Sequence, residues 1–355
     1  MADNSSITLT SLLIKAVQLG ASDLHIKPGA PPAVRVGGRI RLLEIGVLSH
    51  EDTQRLVTSM MTEEQANRLY QELELELGLA PEGLPRFRVN CHFERGGFSA
   101  SFRALQTKIP TFQDLGLPSA LAEIALKPRG LVLVTGATGS GKTTTLAAMV
   151  GHINAHRAAT IVTIEDPIEY VHTDRQAFIR QREVGLDTRS FPEALRRVLR
   201  QDPDVIVIGE LRDLETISTA LTAAETGHLV IATLHTNSAE ATINRIIDVY
   251  PPFQQRQVRI QLAATIEAVI AQQLIPRADG RGVALAYELM LGLFAIRRLV
   301  REEKTYSIAT YMQSGKSQGM VTMDSTLAML CRQGLISFEE AVAHAYEPEE
   351  FQQLL

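Results

Sequence analysis

Residues 136–145 read GATGSGKTTT, with the apolar run LVLVT before them and LAAMV after. This stretch admits few folds. Its glycines tolerate positive φ, so the backbone can turn tightly and aim successive N–H groups into one concavity. The run before it has the character of a buried strand, and the run after it reads as a helix. Strand, glycine turn and helix N-terminus in that order belong to an α/β sheet. Gly136, Gly141, Lys142 and Thr143 also satisfy the pattern G-x4-G-K-[ST], which binds the phosphates of a nucleotide. The expected cradle is Gly136, Ala137, Thr138, Gly139, Ser140, Gly141, Lys142, Thr143 and Thr144. Lys142 is expected at the β- and γ-phosphates of ATP, and the Thr143 hydroxyl on Mg²⁺. A bland Gly-rich turn would need neither flanking element, and both are present.

From Leu131 onward, short apolar runs alternate with helical segments: LVLV, ATIVTI, DVIVIG, HLVIATL and VALAYEL. Strands apolar on both faces fit a parallel sheet covered by helices. One such helix is marked by SFPEALRRVLR, where Ser190 and Glu193 form a capping-box pattern with Pro192 in the first turn. Leu195, Val198 and Leu199 are its expected buried stripe. In open parallel sheets, ligands bind beyond the carboxyl ends of the strands. There the sequence places Glu165 and Asp166 with Glu169 behind them, then Glu210, then His235 and Asn237. Glu210 is the expected water-activating carboxylate, with Glu165 as a second catalytic candidate. Gly209 stands where an acid often precedes it, so Mg²⁺ is expected to lean on Thr143, Glu165 and Asp166. His228 and His235 bracket one strand. Seven strand residues span ~23 Å, so both cannot serve one phosphate. His235 sits at the ligand end and is the expected phosphate sensor.

The 355 residues exceed one ordinary core and predict more than one domain. The first part reads as α+β. A helix over 7–19 stops at Gly20, SDLHI is a strand, and AVRVGGRIRLL is a hairpin turning at Gly37–Gly38. One or two helices follow over 50–73. RFRVNCHF and FSASFRAL form a second hairpin around ERGG. If Phe93 pairs with Phe98, Arg88 faces Arg103 on the side away from the apolar residues. Directly opposed like charges are destabilising, and an anion between them would relieve the conflict. Both arginines are therefore candidate phosphate contacts, with a solvated basic face as the alternative. Prolines and glycines over 109–129 suggest a linker between a domain at 1–108 and one at 130–355.

Composition narrows the partners. The net charge of −5 and the absence of Trp argue against a nucleic-acid motor. Two isolated cysteines, Cys91 and Cys331, make a zinc or disulfide framework improbable and fit a cytosolic chain. No signal-peptide pattern or membrane-spanning run is evident, so membrane association is expected only through a partner.

GASDLHI, RFRVN, GATGSGKTTTLAAM, TIEDPIEY, QREVG, LRQDPDVIVIGELRDLETI and TGHLVIATLHTNSA together run through nearly the whole chain. With these motifs the chain resembles the secretion ATPase superfamily and, within it, the PilT-type pilus-retraction ATPases of type IV pili. The resemblance implies a RecA-like P-loop ATPase domain preceded by a smaller PAS-like α+β domain, with a helical C-terminal region. It implies a ring-shaped homohexamer that hydrolyses ATP and acts on an inner-membrane pilus platform protein from the cytoplasmic side. Glu210 matches the catalytic glutamate, and Arg88 and Arg103 match nucleotide-contacting arginines. AIRRLVRE at 295–302 matches the retraction motif but departs from it at Arg298 and Val300. There Ile296, Leu299 and Val300 form a narrow helical stripe. Arg297, Arg298 and Arg301 lie off it and are expected to couple nucleotide state to the force-bearing partner. Pilus-assembly and type II secretion ATPases are the nearest alternatives, and they usually carry a four-cysteine zinc motif that this chain lacks.

Overall fold

The computed structural model describes residues 7–105, 108–351 and 354. They divide into two compact units, Met1–Lys108 with Pro167–Val171, and Ile109–Asp166 with His172–Leu355.

The first unit runs α1 (Leu9–Gln18), β1 (Asp23–Ile26), β2 (Ala33–Val36), β3 (Arg39–Leu42), α2 (His50–Thr58), α3 (Glu63–Glu72), β4 (Glu74–Leu79), β5 (Phe87–Glu94) and β6 (Gly97–Ala104). The strands form one antiparallel sheet in the order β3-β2-β1-β6-β5-β4. Leu24, Val89, Cys91, Ala100 and Phe102 bury one face against Leu12, Leu13, Leu56 and Val57 of the helices. The β5–β6 hairpin pairs Phe93 with Phe98 and Arg88 with Arg103, as the alternation requires. Its turn residues Arg95 and Gly96 both have positive φ, the conformation a two-residue hairpin loop needs. Strand β4 was not expected. Its sequence ELELGL favours helix by propensity, but Leu73 ends α3 in the left-handed region and breaks the run. Leu75 and Leu77 then enter the core while Glu74 and Glu76 take the polar face.

The second unit runs α4 (Ala120–Ala125), β7 (Gly130–Thr135), α5 (Lys142–His156), β8 (Thr160–Glu165), β9 (Phe178–Glu183), α6 (Phe191–Val198), β10 (Val205–Ile208), α7 (Leu214–Glu225), β11 (Leu229–Leu234), α8 (Ala239–Asp248), α9 (Pro252–Thr265), β12 (Ile266–Pro276) and β13 (Val283–Leu291). Short helices follow: α10 (Phe294–Arg301), α11 (Ile308–Ser314), α12 (Met323–Arg332), α13 (Phe338–His344) and α14 (Pro348–Phe351). The sheet order is β13-β12-β7-β11-β10-β8-β9. Leu131, Val162, Ile206 and Val230 face the helices α6, α7 and α9, and Val132, Ile161, Val205 and Ile231 face α4 and α5.

Three expectations change here. VALAYEL, read as a parallel strand, is β13 and runs antiparallel to β12. The link between them is a tight turn with Gly280 and Gly282 at positive φ, and a link that short joins only antiparallel strands. Second, 109–129 is more than a tether. It contains α4, and Leu117, Leu121, Ile124 and Ala125 are buried in the core with Met149 and Ile153 of α5. Third, the Ser190 capping box is half made. Ser190 accepts from the Glu193 N–H, but the Glu193 carboxylate bonds Arg197 at 2.7 Å instead of returning to the cap.

In α10 the stripe holds, with Ile296 and Val300 buried and Leu299 packed against the core. Arg297, off the stripe, turns inward. Its guanidinium donates to the carbonyls of Gly292, Ala263 and Ala264 and pairs with Glu267 at 2.7 Å. Lys127 also binds Glu267. Arg297 thus ties the end of α9 and the start of β12 to α10. Arg298 pairs with Glu302 at 2.6 Å, one turn along the helix.

Candidate functional site

Parallel pairing sets the site. Thr135 of β7 lies beside Leu234 of β11, Ile208 of β10 beside Ala232 of β11, and Ile164 of β8 beside Ile208. The residues at and just beyond the ends of these strands, Gly136, His235, Gly209–Glu210 and Glu165–Asp166, therefore gather at the carboxyl end of the sheet.

At the glycine loop, Gly136 has φ 143°. A β-carbon there would lie 2.4 Å from the Gln272 carbonyl oxygen and 2.5 Å from Ser140 Oγ, so no side chain fits. Gly139 and Gly141 also have positive φ, and Gly141 is the N-cap of α5. No side chain caps α5. The start of α5 is thus a place where the helix dipole favours an anion. Lys142 is buried, and its Nζ donates to the carbonyls of Gly136 at 2.8 Å and Ala137 at 2.9 Å. Burial lowers its pKa from the ordinary lysine value, and the negative charge of Glu210 opposes that shift. The Ser140 hydroxyl is buried without a hydrogen-bond partner, a cost that a bound phosphate oxygen would remove. Thr143 and Thr144 are half-buried in the first turn of α5. Behind the loop, Gln272 of β12 donates to Thr145 Oγ1 at 2.8 Å, and both residues are buried.

Glu210 is held on both carboxylate oxygens. His235 Nε2 lies 3.1 Å from Oε1 and Arg212 lies 2.7 Å from Oε2. Burial pushes its pKa up, but Arg212 and His235 outweigh burial and hold the carboxyl below the usual range. Glu210 is therefore an anion with one histidine contact. Beside it is a cavity of about 370 Å³ lined by Glu210, Arg212, His235, Thr236 and Arg245. Gly209 has a steric reason to be glycine. Its N–H donates to the Ile164 carbonyl at 2.8 Å, and a β-carbon there would sit 3.2 Å from that oxygen and 3.4 Å from Glu165 Cα. Glu165 accepts from Thr163 Oγ1 at 2.6 Å and from Gln181 Nε2 at 3.0 Å. Asp166 is exposed, and its charge is felt by Arg212. Glu169 falls in the segment grouped with the first unit. His228 stands at the opposite end of β11, with Nδ1 3.0 Å from the Ala223 carbonyl at the end of α7.

In the first unit, Arg88 and Arg103 face each other, but neither waits for an external anion. Arg88 pairs with Glu76 at 3.0 Å and Arg103 with Asp23 at 2.9 Å. The repulsion that the alternation predicted is relieved by carboxylates from β4 and β1.

Sequence reasoning passed over Arg212, Arg245 and Gln272. Arg212 lies in GELRD, two residues beyond Glu210, in the loop between β10 and α7, where no periodicity marks it. Gln272 lies in a strand that was not anticipated. Among the described residues, no group of three or more His, Cys, Asp or Glu side chains could hold a metal ion. A cation at this site would have to be completed by water and substrate oxygens, which suits Mg²⁺.

A family model described as "Type II/IV secretion system protein" matches residues 3–341. The chain is 46% identical to the type IV pilus retraction ATPase PilT of Pseudomonas aeruginosa, over 97% of this chain and 99% of that one. It is 45% identical to a twitching motility protein of Neisseria gonorrhoeae, over 90% of this chain and 85% of that one. A crystal structure of the pilus retraction motor PilT with bound ADP superposes with a TM-score of 0.93, at 46% identity, covering 98% of this chain and all of that one.

Proposed function

The chain belongs to the family of type II/IV secretion system proteins and is an ATP-hydrolysing enzyme of its pilus-retraction branch, and from that premise we propose how its residues drive retraction of type IV pili. The observation that carries the reading is the anionic Glu210, fixed between His235 and Arg212 at the end of the sheet that also bears the glycine loop.

ATP enters with its phosphates on the loop 136–144. Lys142 leaves the carbonyls of Gly136 and Ala137 for the β- and γ-phosphate oxygens. The N–H groups at the start of α5 take the remaining phosphate charge. The Thr143 hydroxyl, with Glu165 and Asp166 acting through water, would hold Mg²⁺, which would supply charge neutralisation at the phosphates. Glu210 orients the attacking water and draws on its proton, while His235, already on Glu210, senses the γ-phosphate. Arg88 and Arg103 exchange Glu76 and Asp23 for the nucleotide of their own or a neighbouring subunit.

The working form is a homohexamer. ATP-bound, ADP-bound and empty interfaces favour different arrangements of the two units, and that difference in affinity is the source of the stroke. Among the described residues, no helix is long and apolar enough to cross a membrane. Likeness to pilus-retraction ATPases supports a motor that works from the cytoplasmic side and meets the inner membrane through a pilus platform protein. The test is a deletion strain scored for pilus number, complemented by wild type or by Glu210→Gln. Excess pili that do not retract, corrected only by wild type, support the reading. Bald cells would assign the chain to pilus assembly.

A further inference from the structure

The loop that carries His235 is short. It runs from the end of β11 at Leu234 to the N-cap Ser238 of α8. Because His235 meets Glu210 from this loop, its position depends on what holds residues 236–238. Part of the grip is local. Thr236 and Thr242 share a hydroxyl–hydroxyl bond of 2.7 Å, and Thr242 donates to the Ser238 carbonyl at 2.6 Å. The rest comes from far along the chain. Glu288 of β13, buried, accepts from the Ala239 N–H at 2.7 Å and also from the Met323 N–H, so it caps α8 and α12 together. The hydroxyl of Tyr346, 109 residues beyond the loop, donates to the Asn237 carbonyl.

Tyr346 is itself positioned from three sides. Its N–H and that of Glu347 bond the two carboxylate oxygens of Asp324 at 2.8 and 3.1 Å. His344, two residues earlier, has Nδ1 2.8 Å from Gln273 Oε1. The Tyr346 hydroxyl also meets the Gln273 side chain. Gln273 is the neighbour of Gln272, which holds Thr145 behind the glycine loop. The tyrosine borders a cavity of about 440 Å³ whose walls include Glu288, Asp324 and Met312. Ala345 packs against the core of β12, β13 and α12, and the polar bonds fix the tyrosine beside it.

We propose that Tyr346 is a positioning residue for ATP hydrolysis: its hydroxyl latches the Asn237 carbonyl and so sets the angle at which His235 meets Glu210. The latch ties the C-terminal segment to the sensor loop, and nucleotide-driven movement of that loop must pull on residues 344–347. The role of His235 rests on the hydrolase reading above, whereas the latch is a matter of loop stability and can be read without catalysis.

The test is Tyr346→Phe, which removes one oxygen and keeps the ring. Amide hydrogen exchange of residues 234–242, kcat and KM for ATP, and the melting temperature are measured on the full chain. Loss of one hydrogen bond of about 1 kcal/mol should speed exchange of the loop by about fivefold and lower kcat by a similar factor. KM should stay within about twofold, since the latch does not touch bound nucleotide. Asp324→Ala, which frees the Tyr346 and Glu347 N–H groups, should reproduce the pattern. Unchanged exchange at 234–242 in Tyr346→Phe would overturn the latch, and so would a general rise in exchange with a fall in melting temperature. If wild type itself fails to hydrolyse ATP, the enzyme reading falls, and the exchange measurement still decides the latch.

Discussion

In the second unit, β7, β10 and β11 are buried at every position, whereas β5 in the first unit alternates buried and half-exposed residues along most of its length. The consequence is a different address for polar chemistry. A strand covered on both faces can present a charged side chain only where it ends, so parallel register brings Glu210 and His235 to one end of the sheet. A strand covered on one face presents every second residue, so Arg88 and Arg103 arrive as a cross-strand pair. Strand-end residues in the first kind of sheet are brought together by register and then fixed by contacts of the loops they sit on. Face residues in the second must settle their charges with neighbours, here Glu76 and Asp23.

The comparison breaks most visibly at Glu210. Glu210→Gln should cut ATP turnover by ~10²-fold or more, the range for losing a positioned base, with ATP affinity nearly kept. Turnover near wild type would mean that the strand-end placement carries no chemistry. A second test concerns Glu288, whose carboxyl is pushed up to about 7, first by burial and then by Asp324 and Glu240, against the N–H bonds from Ala239 and Met323. A raised acid binds its proton more tightly when folded, so its contribution is full below the unfolded value near 4.5 and is lost as pH rises through about 7. Denaturant unfolding of wild type should lose up to about 3 kcal/mol across that window. Glu288→Gln should flatten the curve, and an equal slope in both proteins would count against a buried proton there.

Arg297→Ala comes next. It strips α9 and Glu267 of a shared partner and should cost about 2 kcal/mol, below the value for a fully buried pair. Thermal melting with wild-type ATPase per folded molecule is the expected outcome. Unchanged melting with lost retraction would support the coupling role that the motif suggested. The smallest effect belongs to the antiparallel face. Arg103 is exposed, so Arg103→Ala should change stability by less than about 1 kcal/mol while lowering ATPase activity. Full activity would make the Arg103–Asp23 pair a surface ornament, and a large stability loss would erase the contrast between the two sheets.

Legibility followed the same division. The glycine loop, the strand ends and the Phe93–Phe98 register could be read because each rests on local spacing. The strands that escaped lacked a local sign. β12 begins directly where α9 ends at Thr265, with no glycine or proline between them. β9 is a sheet edge whose FIRQRE is mostly polar, and β4 is spelled in good helix formers. Partner identity was the other blind spot. Alternation placed Arg88 opposite Arg103 but could not supply Glu76 or Asp23. Helical phase put Arg297 off its stripe but could not show that the carbonyls of Ala263 and Ala264 end beside it.

Strand β12 carries two adjacent glutamines with opposite addresses. Successive residues of a strand point to opposite faces, so Gln272 speaks to Thr145 behind the glycine loop while Gln273 speaks to His344 in the C-terminal segment. The side chains are chemically identical, and only parity separates their messages. Inserting or deleting a single residue upstream in β12 would leave a glutamine facing one listener and silence the other. The strand therefore works as a two-channel wire in which phase, and not composition, decides which end of the molecule is heard.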